Sequence, residues 1–410
     1  MSVVMKFGGT SVADAAAFEN VARIVANERD AAPVVVVSAM SGVTDSLLAA
    51  TNTASLENVF ERHRAVAHEL LDPSQATSFI DQLRDVADKI DALFQSPTEY
   101  KSLQDAIVSF GETLSSTLLA EVLNKNGIAA RQVDSRRCII TDEEFTNAVP
   151  LMAETFAQSK SELIPVLESG VVPVLGGFIG STKQGITTTL GRGGSDYTAA
   201  LIGAALGVRE IQIWTDVTGV LTADPRVVPE AQTIERLSYG EAAELAYFGA
   251  KVLHPKTIQP AIENSIPVRI CNSRAPQEPG TLVGPETETS PRTIKAIAHK
   301  TGVTTVQISS ARMLGAYGFL RKLFEVFDEH RTVVDVVTTS EVSVSLSLDD
   351  ASALPAIVAE LEQLGTVSVE NGRAIICVVG EGLRRTPGIA ARVFSTISDI
   401  NVTLISQGAS

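Results

Sequence analysis

The 410-residue chain is 45% hydrophobic and 20% charged, and its formal net charge is −15 at pH 7. This length predicts two or three domains of ordinary globular composition. The negative charge argues against a nucleic-acid-binding protein, which would need a basic surface, so any anion site must be local. The 3 cysteines and 5 histidines match neither a disulfide framework nor a zinc motif. Because neither a signal peptide pattern nor 18 consecutive apolar residues occurs, the sequence predicts a cytoplasmic protein without membrane association.

Short apolar runs alternate with helix-spaced segments over the first two thirds of the chain. Strands are predicted at Ser2–Phe7, Pro33–Ser38, Ala129–Val133, Val171–Phe178, Glu210–Thr215 and Ile266–Cys271, with a hairpin at Gly180–Thr189. Helices are predicted at Asp14–Arg29, along Leu47–Asn126 with breaks near Pro73 and Pro97, and at Ser161–Ser169, Tyr197–Leu206 and Gly240–Phe248. This alternation indicates an α/β domain with a mainly parallel sheet.

The stretch Leu190–Asp196 places three glycines between a β-leaning run and an apolar run at helical spacing. Such a strand-to-helix turn leaves backbone N–H groups free at a positive helix terminus. Arg192 adds a planar fork suited to a carboxylate or phosphate, and Asp196 adds a carboxylate in the first helical turn. Glycine-rich breaks follow four predicted strands, at Gly8, Gly42, Gly176 and Gly193. Because ligands of parallel sheets bind at the carboxyl ends of strands, we expect one site at one edge.

The residue types at this edge suit phosphoryl transfer, which needs positioning and electrostatic stabilisation of the moving charge. Lys6 precedes the first glycines, and a loop at 215–226 follows the predicted strand Glu210–Thr215. The Gly-x-x-x-x-Gly-Lys-Ser/Thr loop is absent, and Asp196 breaks the Gly-x-Gly-x-x-Gly spacing. These two nucleotide-binding classes are therefore excluded, and spacing alone does not name the substrate.

The composition changes after this domain. The Pro-, Gly-, Thr- and Glu-rich stretch Pro276–Pro291 is predicted to be a linker. Beyond it, Gly318–Ser340 matches Gly388–Ser410 as an internal repeat, and each copy predicts a helix followed by a strand. The first copy continues into a strand at Glu341–Leu348 and a helix at Ala351–Leu364. We therefore expect two small α+β modules, of which the second is incomplete. A truncated form, a naturally short form and a piece of a longer fused enzyme all remain open.

Six motifs together resemble the aspartokinases, a branch of the amino-acid kinases. In chain order they are Lys6–Val12, Ser109–Glu112, Thr187–Tyr197, Trp214–Val217, Asp224–Arg226 and Gly249–Pro255. The resemblance implies a three-layer αβα sandwich at 1–292 and two ACT-like, ferredoxin-like modules at 293–410, the first at about 310–370 and the incomplete second at 371–410. The long helical segment is similar to the lysine-sensitive and homoserine-dehydrogenase-fused branches.

The same resemblance implies an activity and its partners. Aspartokinases transfer the γ-phosphoryl group of ATP to the β-carboxylate of L-aspartate, giving 4-phospho-L-aspartate. This is the first step towards lysine, threonine and methionine. Mg-ATP is then a co-substrate with Mg on its phosphates, and neither a tightly bound cofactor nor a protein-held metal is expected. A homodimer or higher oligomer through the ACT modules is implied as well.

The resemblance also assigns roles to individual residues. Lys6 and Asp196 are the catalytic pair, Lys6 holding the phosphates and Asp196 orienting Lys6 and the phosphoryl group. Aspartate would be bound by Ser38, Thr44, Glu112, Arg192, Gly193 and Ser195, with Glu112 on its ammonium and Arg192 on a carboxylate. ATP would be bound by Lys6, Gly8, Gly9, Thr215, Asp216, Leu221, Arg226, Lys251 and Val252. Leu221 stands where relatives often have a tyrosine.

The repeat would form an amino-acid effector site, with lysine or threonine as candidate effectors. Positions that line the lysine pocket of similar enzymes are Met313, Gly318, Leu320, Val334, Asp335, Thr339 and Ser340. Asp335 would pair with the effector's ammonium, and N–H groups near Gly318 with its carboxylate. Ala316 replaces a serine often found there. A purely structural contact between modules is the alternative interpretation of the repeat.

Two other functions are compatible with this sequence. One is an amino-acid kinase that acts on another acyl acceptor, such as glutamate or N-acetylglutamate. Glu112 distinguishes the acetylated acceptor, whose amine has no charge to pair with. The other is a catalytically silent amino-acid sensor, against which the presence of Lys6, Arg192 and Asp196 argues.

Overall fold

The computed structural model describes residues 2–97, 99–249, 253, 255–285 and 293–407. The chain forms two compact units. Unit 1 comprises Met1–Leu221, Gln232–Ala243 and Lys251–Thr287, and unit 2 comprises Thr222–Ala231, Glu244–Ala250 and Glu288–Ser410. Two short segments thus group with the C-terminal part, and the single boundary at residue 292 stays a prediction.

Unit 1 is an α/β unit. Its strands β1–β11 are Val3–Phe7, Pro33–Val37, Ala130–Val133, Ile140–Thr141, Val172–Gly176, Ile179–Thr182, Thr187–Thr189, Glu210–Thr215, Arg236–Ser238, Val268–Asn272 and Thr281–Gly284. Its helices α1–α10 are Ala15–Asn27, Val43–Ala49, Glu57–Leu70, Pro73–Phe94, Tyr100–Val108, Phe110–Lys125, Met152–Glu168, Gly194–Leu206, Tyr239–Tyr247 and Gln259–Glu263, and the C-terminal part of α9 belongs to unit 2. The predicted strands are confirmed, whereas α7 begins well before the predicted Ser161.

An 8-stranded sheet in the order β3-β5-β2-β1-β8-β10-β11-β9 forms the centre of unit 1. All its pairs are parallel except β10 with β11, which is antiparallel. A second, 3-stranded sheet has the order β4-β6-β7. The mainly parallel sheet predicted from the sequence is therefore confirmed, and the carboxyl ends of β1, β2, β5 and β8 lie at one edge.

Helices cover both faces of the sheet, and β1 shows how. Val3, Met5 and Phe7 are fully buried in one cluster with Phe18 of α1 and with side chains of α3 and α6. Successive strand residues point to opposite faces. Lys6 therefore lies on the other face, where its side chain reaches Asp196 of α8. This alternation places one buried lysine at the end of an apolar strand.

The predicted helical segment Leu47–Asn126 folds into α3–α6, with breaks at the two predicted prolines. Pro73 opens α4 as its first residue, after a capping box between Asp72 and Gln75. By length and composition alone the stretch Tyr100–Lys125 could cross a membrane, but most of its apolar window is buried inside the protein. The apolar side chains of this stretch therefore belong to the protein core.

The linker prediction is wrong in part. Thr281–Gly284, inside the predicted linker, forms β11 and pairs antiparallel with β10. Gly280 makes the turn, because its φ of +66° and the close approach of the Ile270 carbonyl exclude other residues. The averaged composition concealed a four-residue strand whose partner precedes it closely in the chain. Residues 286–292 lie outside the described part.

Unit 2 contains a 4-stranded antiparallel sheet in the order β13-β14-β12-β15. Strands β12–β15 are Ala296–Ser309, Val337–Thr339, Ser343–Leu348 and Thr366–Val379, and helices α11–α13 are Phe319–Glu329, Leu354–Leu361 and Ile389–Thr396. Val306, Leu323, Leu346 and Ile357 belong to its buried core. The first repeat copy thus has the predicted helix and strand.

The strand predicted at the end of the second copy does not form within the described residues, which extend to 407. Val402 and Ile405 are exposed there. A strand needs a hydrogen-bonded neighbour. In the first copy β14 supplies that neighbour to β13, whereas no strand pairs with the described residues 401–407.

Candidate active site

The centre of the site is an ion pair between β1 and α8. Lys6 Nζ lies 2.7 Å from Asp196 Oδ1, and both side chains are largely buried. Asp196 stands in the first turn of α8, where a carboxylate is favoured by the helix dipole. The structure therefore brings together the two residues proposed as the catalytic pair.

A cavity of about 540 Å³ opens beside this ion pair. Nine of its lining residues are predicted site residues, namely Lys6, Gly9, Ser38, Thr44, Glu112, Arg192, Gly193, Ser195 and Asp196. They come from the ends of β1 and β2 and from the beginnings of α2, α6 and α8. The strand ends predicted to share one edge therefore do share one cavity.

Glu112, in the first turn of α6, is 3% exposed. Burial raises the pKa of its carboxyl to about 8, and a hydrogen bond from the Ala39 N–H opposes this rise only in part. Among the described residues, Oε2 of Glu112 has no hydrogen-bond partner. A buried carboxylate oxygen that lines a cavity without a partner is suited to a cationic ligand.

The loop between β7 and α8 carries Arg192, whose side chain is exposed. Gly191 and Gly193 flank it with φ of +71° and +75°. Only glycine adopts these values without strain, and Gly193 also serves as the N-cap of α8. The predicted glycine-rich strand-to-helix turn is confirmed, with the Arg192 fork at its tip.

The glycines after β1 differ from the expectation in one respect. The N–H of Gly8 donates to the Trp214 carbonyl over 3.0 Å. This N–H is therefore engaged with β8, so Gly8, a predicted ATP-binding residue, has no free N–H to donate to a phosphate. Gly9 is required by packing, because a Cβ there would lie 2.8 Å from the Ala39 carbonyl oxygen.

The structure describes only some of the predicted ATP-binding residues. Thr215 ends β8, and its hydroxyl donates to Asp216 over 3.2 Å. Leu221 bridges to Thr233 in unit 1, whereas Arg226 belongs to unit 2 and forms an exposed ion pair with Asp224. This pair lowers the pKa of Asp224 to about 2. Lys251 and Val252 lie outside the described residues.

Two residues escaped the sequence analysis, one that contacts a predicted ATP-binding residue and one that lines the cavity. Ser273, after β10, accepts a hydrogen bond from the Ser11 hydroxyl over 2.8 Å and donates to the Thr215 carbonyl over 3.0 Å. Asp105 of α5 lines the cavity and hydrogen-bonds Thr189 at the end of β7. Asp105 precedes Glu112 by seven residues, a spacing that would place both on one face of the continuous helix predicted there. That spacing was the available signal, and Ser273 had none.

The predicted effector residues all lie in unit 2. Gly318 is the N-cap of α11, with Met313 before it and the half-exposed Leu320 after it. Val334 and Asp335 precede β13, and Thr339 and Ser340 end it, at a turn closed by the Ser340 N–H and the Ser343 carbonyl.

Asp335 is already engaged in this structure. Its carboxylate accepts a hydrogen bond from the Tyr247 hydroxyl and lies 3.5 Å from Lys300 Nζ. Lys300 also pairs with Asp349 and lies over the Tyr247 ring, 5.1 Å from its centroid. Burial raises the pKa of Asp335. Any second ammonium group at Asp335 would therefore compete with Lys300.

The described residues contain no group of three or more His, Cys, Asp and Glu side chains that could hold a metal ion. Mg²⁺ commonly binds proteins through one or two carboxylates together with substrate phosphates. Asp196 is the carboxylate in the cavity next to Lys6, so the donor set fits an ion carried on nucleotide phosphates.

Comparisons with known proteins agree with this architecture. The profile of the amino acid kinase family matches residues 1–272, and that of the ACT domain matches residues 376–410. Together with the parallel sheet and its cavity, these matches define a kinase of the amino acid kinase family with a C-terminal ACT region.

Individual relatives narrow this class. Chloroplastic aspartokinase 3 of Arabidopsis thaliana is 42% identical to this chain. The alignment covers 100% of this chain and 77% of the relative. Escherichia coli aspartokinase III, solved with aspartate and ADP in its R-state, superposes with a TM-score of 0.84 at 37% identity. The same enzyme with lysine and aspartate in its T-state superposes with a TM-score of 0.83. Each superposition covers 100% of this chain and 94% of the other.

The chain therefore belongs to the aspartokinases. It is an ATP-dependent phosphotransferase of amino-acid biosynthesis, with an ACT region of the kind that serves allosteric control.

Proposed function

We propose that the cavity of unit 1 carries the aspartate kinase reaction, with the Lys6–Asp196 pair at the transferring phosphoryl group. One observation carries the proposal: this ion pair shares a cavity with the exposed Arg192 fork and with the buried Glu112 carboxyl, whose Oε2 has no hydrogen-bond partner among the described residues. A site with two separated carboxylates and two separated cations complements an amino acid that has two carboxylates and one ammonium, together with a phosphate.

In this proposal an oxygen of the aspartate β-carboxylate attacks the γ-phosphorus, and the bond to the bridging oxygen of ADP breaks. The acceptor is already ionised at neutral pH, so no general base is needed. Lys6 stabilises the charge on the transferring group, and Asp196 holds the ammonium of Lys6 in place. Glu112 pairs with the aspartate ammonium and Arg192 with a carboxylate. Ser38, Thr44, Gly193 and Ser195 complete the pocket.

The nucleotide roles are also proposals. Gly8 and Gly9 allow close approach of the phosphates after β1, and Thr215, Asp216, Leu221, Arg226, Lys251 and Val252 contact the nucleotide. Mg²⁺ is proposed to be carried on the ATP phosphates, where it would neutralise their charge, and Asp196 is the carboxylate that would hold it.

The direct test is ATP-dependent formation of an acyl phosphate from L-aspartate, trapped with hydroxylamine. We expect turnover with L-aspartate and none with N-acetyl-L-aspartate, which has no ammonium for Glu112. Turnover with glutamate in place of aspartate would move the assignment to another acceptor. Folded protein that binds ATP but gives no product would contradict the proposal.

The raised pKa of Glu112 makes aspartate binding dependent on pH. Below about pH 8 the free enzyme holds Glu112 protonated, and pairing with an ammonium then requires loss of that proton. Each pH unit below the pKa can cost up to about tenfold in affinity. We therefore expect the KM for aspartate to fall as pH rises from 6.5 to 8.5.

A matched pair of variants tests this. Glu112→Gln should raise the KM for aspartate and make it nearly independent of pH over this range. Glu241→Gln removes another buried carboxylate, which accepts from the Ser238 N–H, and should leave the pH profile unchanged. A wild-type KM that is flat or rises over this range would contradict the role of Glu112.

We propose that unit 2 binds an amino-acid effector through Met313, Gly318, Leu320, Val334, Asp335, Thr339 and Ser340. Lysine is the first candidate, because the Escherichia coli relative is solved with lysine in its T-state, and threonine is the alternative. The buried carboxylate of Asp335, already paired with one ammonium, supports recognition of another.

If the effector's ammonium competes with Lys300 for Asp335, removal of Lys300 should strengthen inhibition by the effector. Lys300→Met should lower the lysine concentration for half-inhibition by about tenfold or more, since it frees a charged partner usually worth 1.5–3 kcal/mol. Asp335→Ala should raise it by a similar factor, and Glu325→Gln, at an exposed pair on α11, should not change it. Each variant is compared with its own uninhibited rate. Equal sensitivity of Lys300→Met and wild type would contradict the competition.

Oligomer formation and cellular location are further proposals. The exposed apolar residues Phe394, Ile400 and Ile405 of unit 2 support association of copies through the ACT region, which light scattering would measure. The free thiols of Cys138, Cys271 and Cys377 support a reducing compartment such as the cytoplasm. Cell fractionation would test it.

A further inference from the structure

Asp105 is a nearly inaccessible carboxylate at the wall of the cavity, 1% exposed. It accepts three hydrogen bonds. The N–H of Thr146 donates to Oδ2 over 2.9 Å, the N–H of Thr189 to Oδ2 over 3.0 Å, and the Thr189 hydroxyl to Oδ1 over 2.6 Å. One side chain of α5 thereby joins the loop before α7 to the last residue of β7.

Thr189 is held from its other side as well. Its carbonyl accepts from the Ala148 N–H over 2.9 Å, and the N–H of Leu190 donates to the Phe178 carbonyl over 2.9 Å. Gly191 then packs so closely on Asn147 that a Cβ would lie 2.5 Å from Oδ1 of that side chain. Thr189, Leu190 and Gly191, the three residues directly before Arg192, are therefore each held by a named contact.

Burial of a carboxylate at this position costs solvation free energy. Burial raises the pKa of Asp105, and its three donors offset this only in part. An apolar residue of similar volume would fill the space without the loss of solvation. What it could not do is fix two backbone segments by three directed hydrogen bonds.

We infer that Asp105 is a positioning residue, which sets the Arg192 loop for aspartate through Thr189 and Thr146. This inference rests on the aspartate-binding role proposed for Arg192. The charge of Asp105 matters less than its acceptor geometry, because the two N–H donors meet one oxygen and the hydroxyl meets the other.

Two substitutions separate geometry from charge. Asp105→Asn can retain all three hydrogen bonds, because the Thr189 hydroxyl can accept from an amide as well as donate. Asp105→Ala loses all three. We expect Asp105→Ala to raise the KM for aspartate by about tenfold or more with the KM for ATP within about twofold, as displacement of a binding group does. Asp105→Asn should restore the KM for aspartate to within about threefold of wild type.

Thr189→Val keeps the experiment decisive if Asp105→Ala does not fold. It removes one of the three hydrogen bonds and should raise the KM for aspartate by about threefold to tenfold. Thr155→Val is the matched control. The Thr155 hydroxyl is buried in α7 and hydrogen-bonds the N–H and carbonyl of Ile140, outside the cavity lining. It should lower the melting temperature without changing either KM.

A double-mutant cycle with Arg192→Ala locates the effect. If Asp105 acts through the Arg192 loop, the two effects on KM are not additive. Full additivity, or an unchanged KM for aspartate in folded Asp105→Ala and Thr189→Val, would overturn the inference. If Arg192→Ala alone leaves the KM unchanged, the proposed role of Arg192 fails, and this inference fails with it. Absence of aspartate-dependent turnover in the wild type would instead reject the proposed reaction.

Discussion

Lys6→Met is expected to lower kcat by about a thousandfold or more, as loss of a preorganised charge at the reacting group does. Lys6 is nearly buried on β1 and lies 2.7 Å from Asp196. Methionine keeps the unbranched apolar stem of the side chain but cannot donate to a phosphate. Its KM for aspartate should remain within a few-fold of wild type, since Glu112 and Arg192 are untouched. Single-turnover formation of the acyl phosphate measures the effect on the chemical step.

Loss of stability is the alternative cause of such a result, because Lys6→Met leaves Asp196 unpaired in a partly buried place. The double variant with Asp196→Asn removes this unpaired charge. It should recover the melting temperature without recovering turnover. Lys183→Met, at an exposed ion pair with Glu154, is the matched control and should be fully active. A Lys6→Met enzyme that keeps a tenth of wild-type kcat would contradict the catalytic role of Lys6.

Arg192→Ala is expected to raise the KM for aspartate by about a hundredfold, because a charge-assisted, bidentate pair is worth about 3 kcal/mol. Its effect should differ in kind from that of Lys6→Met. Arg192→Ala weakens the binding of aspartate, whereas the contacts to the transferring phosphoryl group are unchanged. Initial rates over a wide range of aspartate at saturating ATP separate KM from kcat.

Arg192→Lys shows whether the fork or the charge is used. Lysine keeps the charge but cannot bind a carboxylate through two parallel N–H bonds. An intermediate KM is therefore expected. Arg137→Ala, at an exposed pair with Glu162, should match wild type. The role of Arg192 is contradicted if Arg192→Ala and Arg137→Ala give the same KM.

Most of the sheet could be predicted from the sequence, because buried parallel strands leave a strong local signal. Pro33–Val37 is a continuous apolar run, and Glu210–Thr215 alternates polar residues with Ile211 and Ile213 before Trp214. Both are short β-favouring segments between polar turns, so they are recognisable without knowledge of their neighbours. The glycines at the strand ends, together with Lys6, predicted a site at one edge of the sheet, because they too follow from local strand patterns. Lys6 and Asp196, which we propose as the catalytic pair, could therefore each be predicted from a local strand-end pattern.

The remaining features depend on partners that lie outside the segment concerned, some of them far away in the chain. Strand β11 is recognisable only beside β10. The second repeat copy has no strand in its described residues up to 407, although its sequence resembles that of the first copy. Asp105 reaches Thr146 and Thr189, which are 41 and 84 residues away. No short sequence segment contains both members of such a pair. Hydrogen bonds that join distant segments in this way can therefore be recognised only in the folded structure.

The link between Ser11 and Ser273 spans 262 residues, and this has a consequence for synthesis on the ribosome. At about 5–20 residues per second, Ser273 follows Ser11 by roughly 13–50 s. During that interval the loop after β1 has emerged without its partner at the end of β10, and β8 lacks its neighbour on that side. A nascent chain can therefore complete the edge that holds Lys6 only when nearly all of unit 1 has been made.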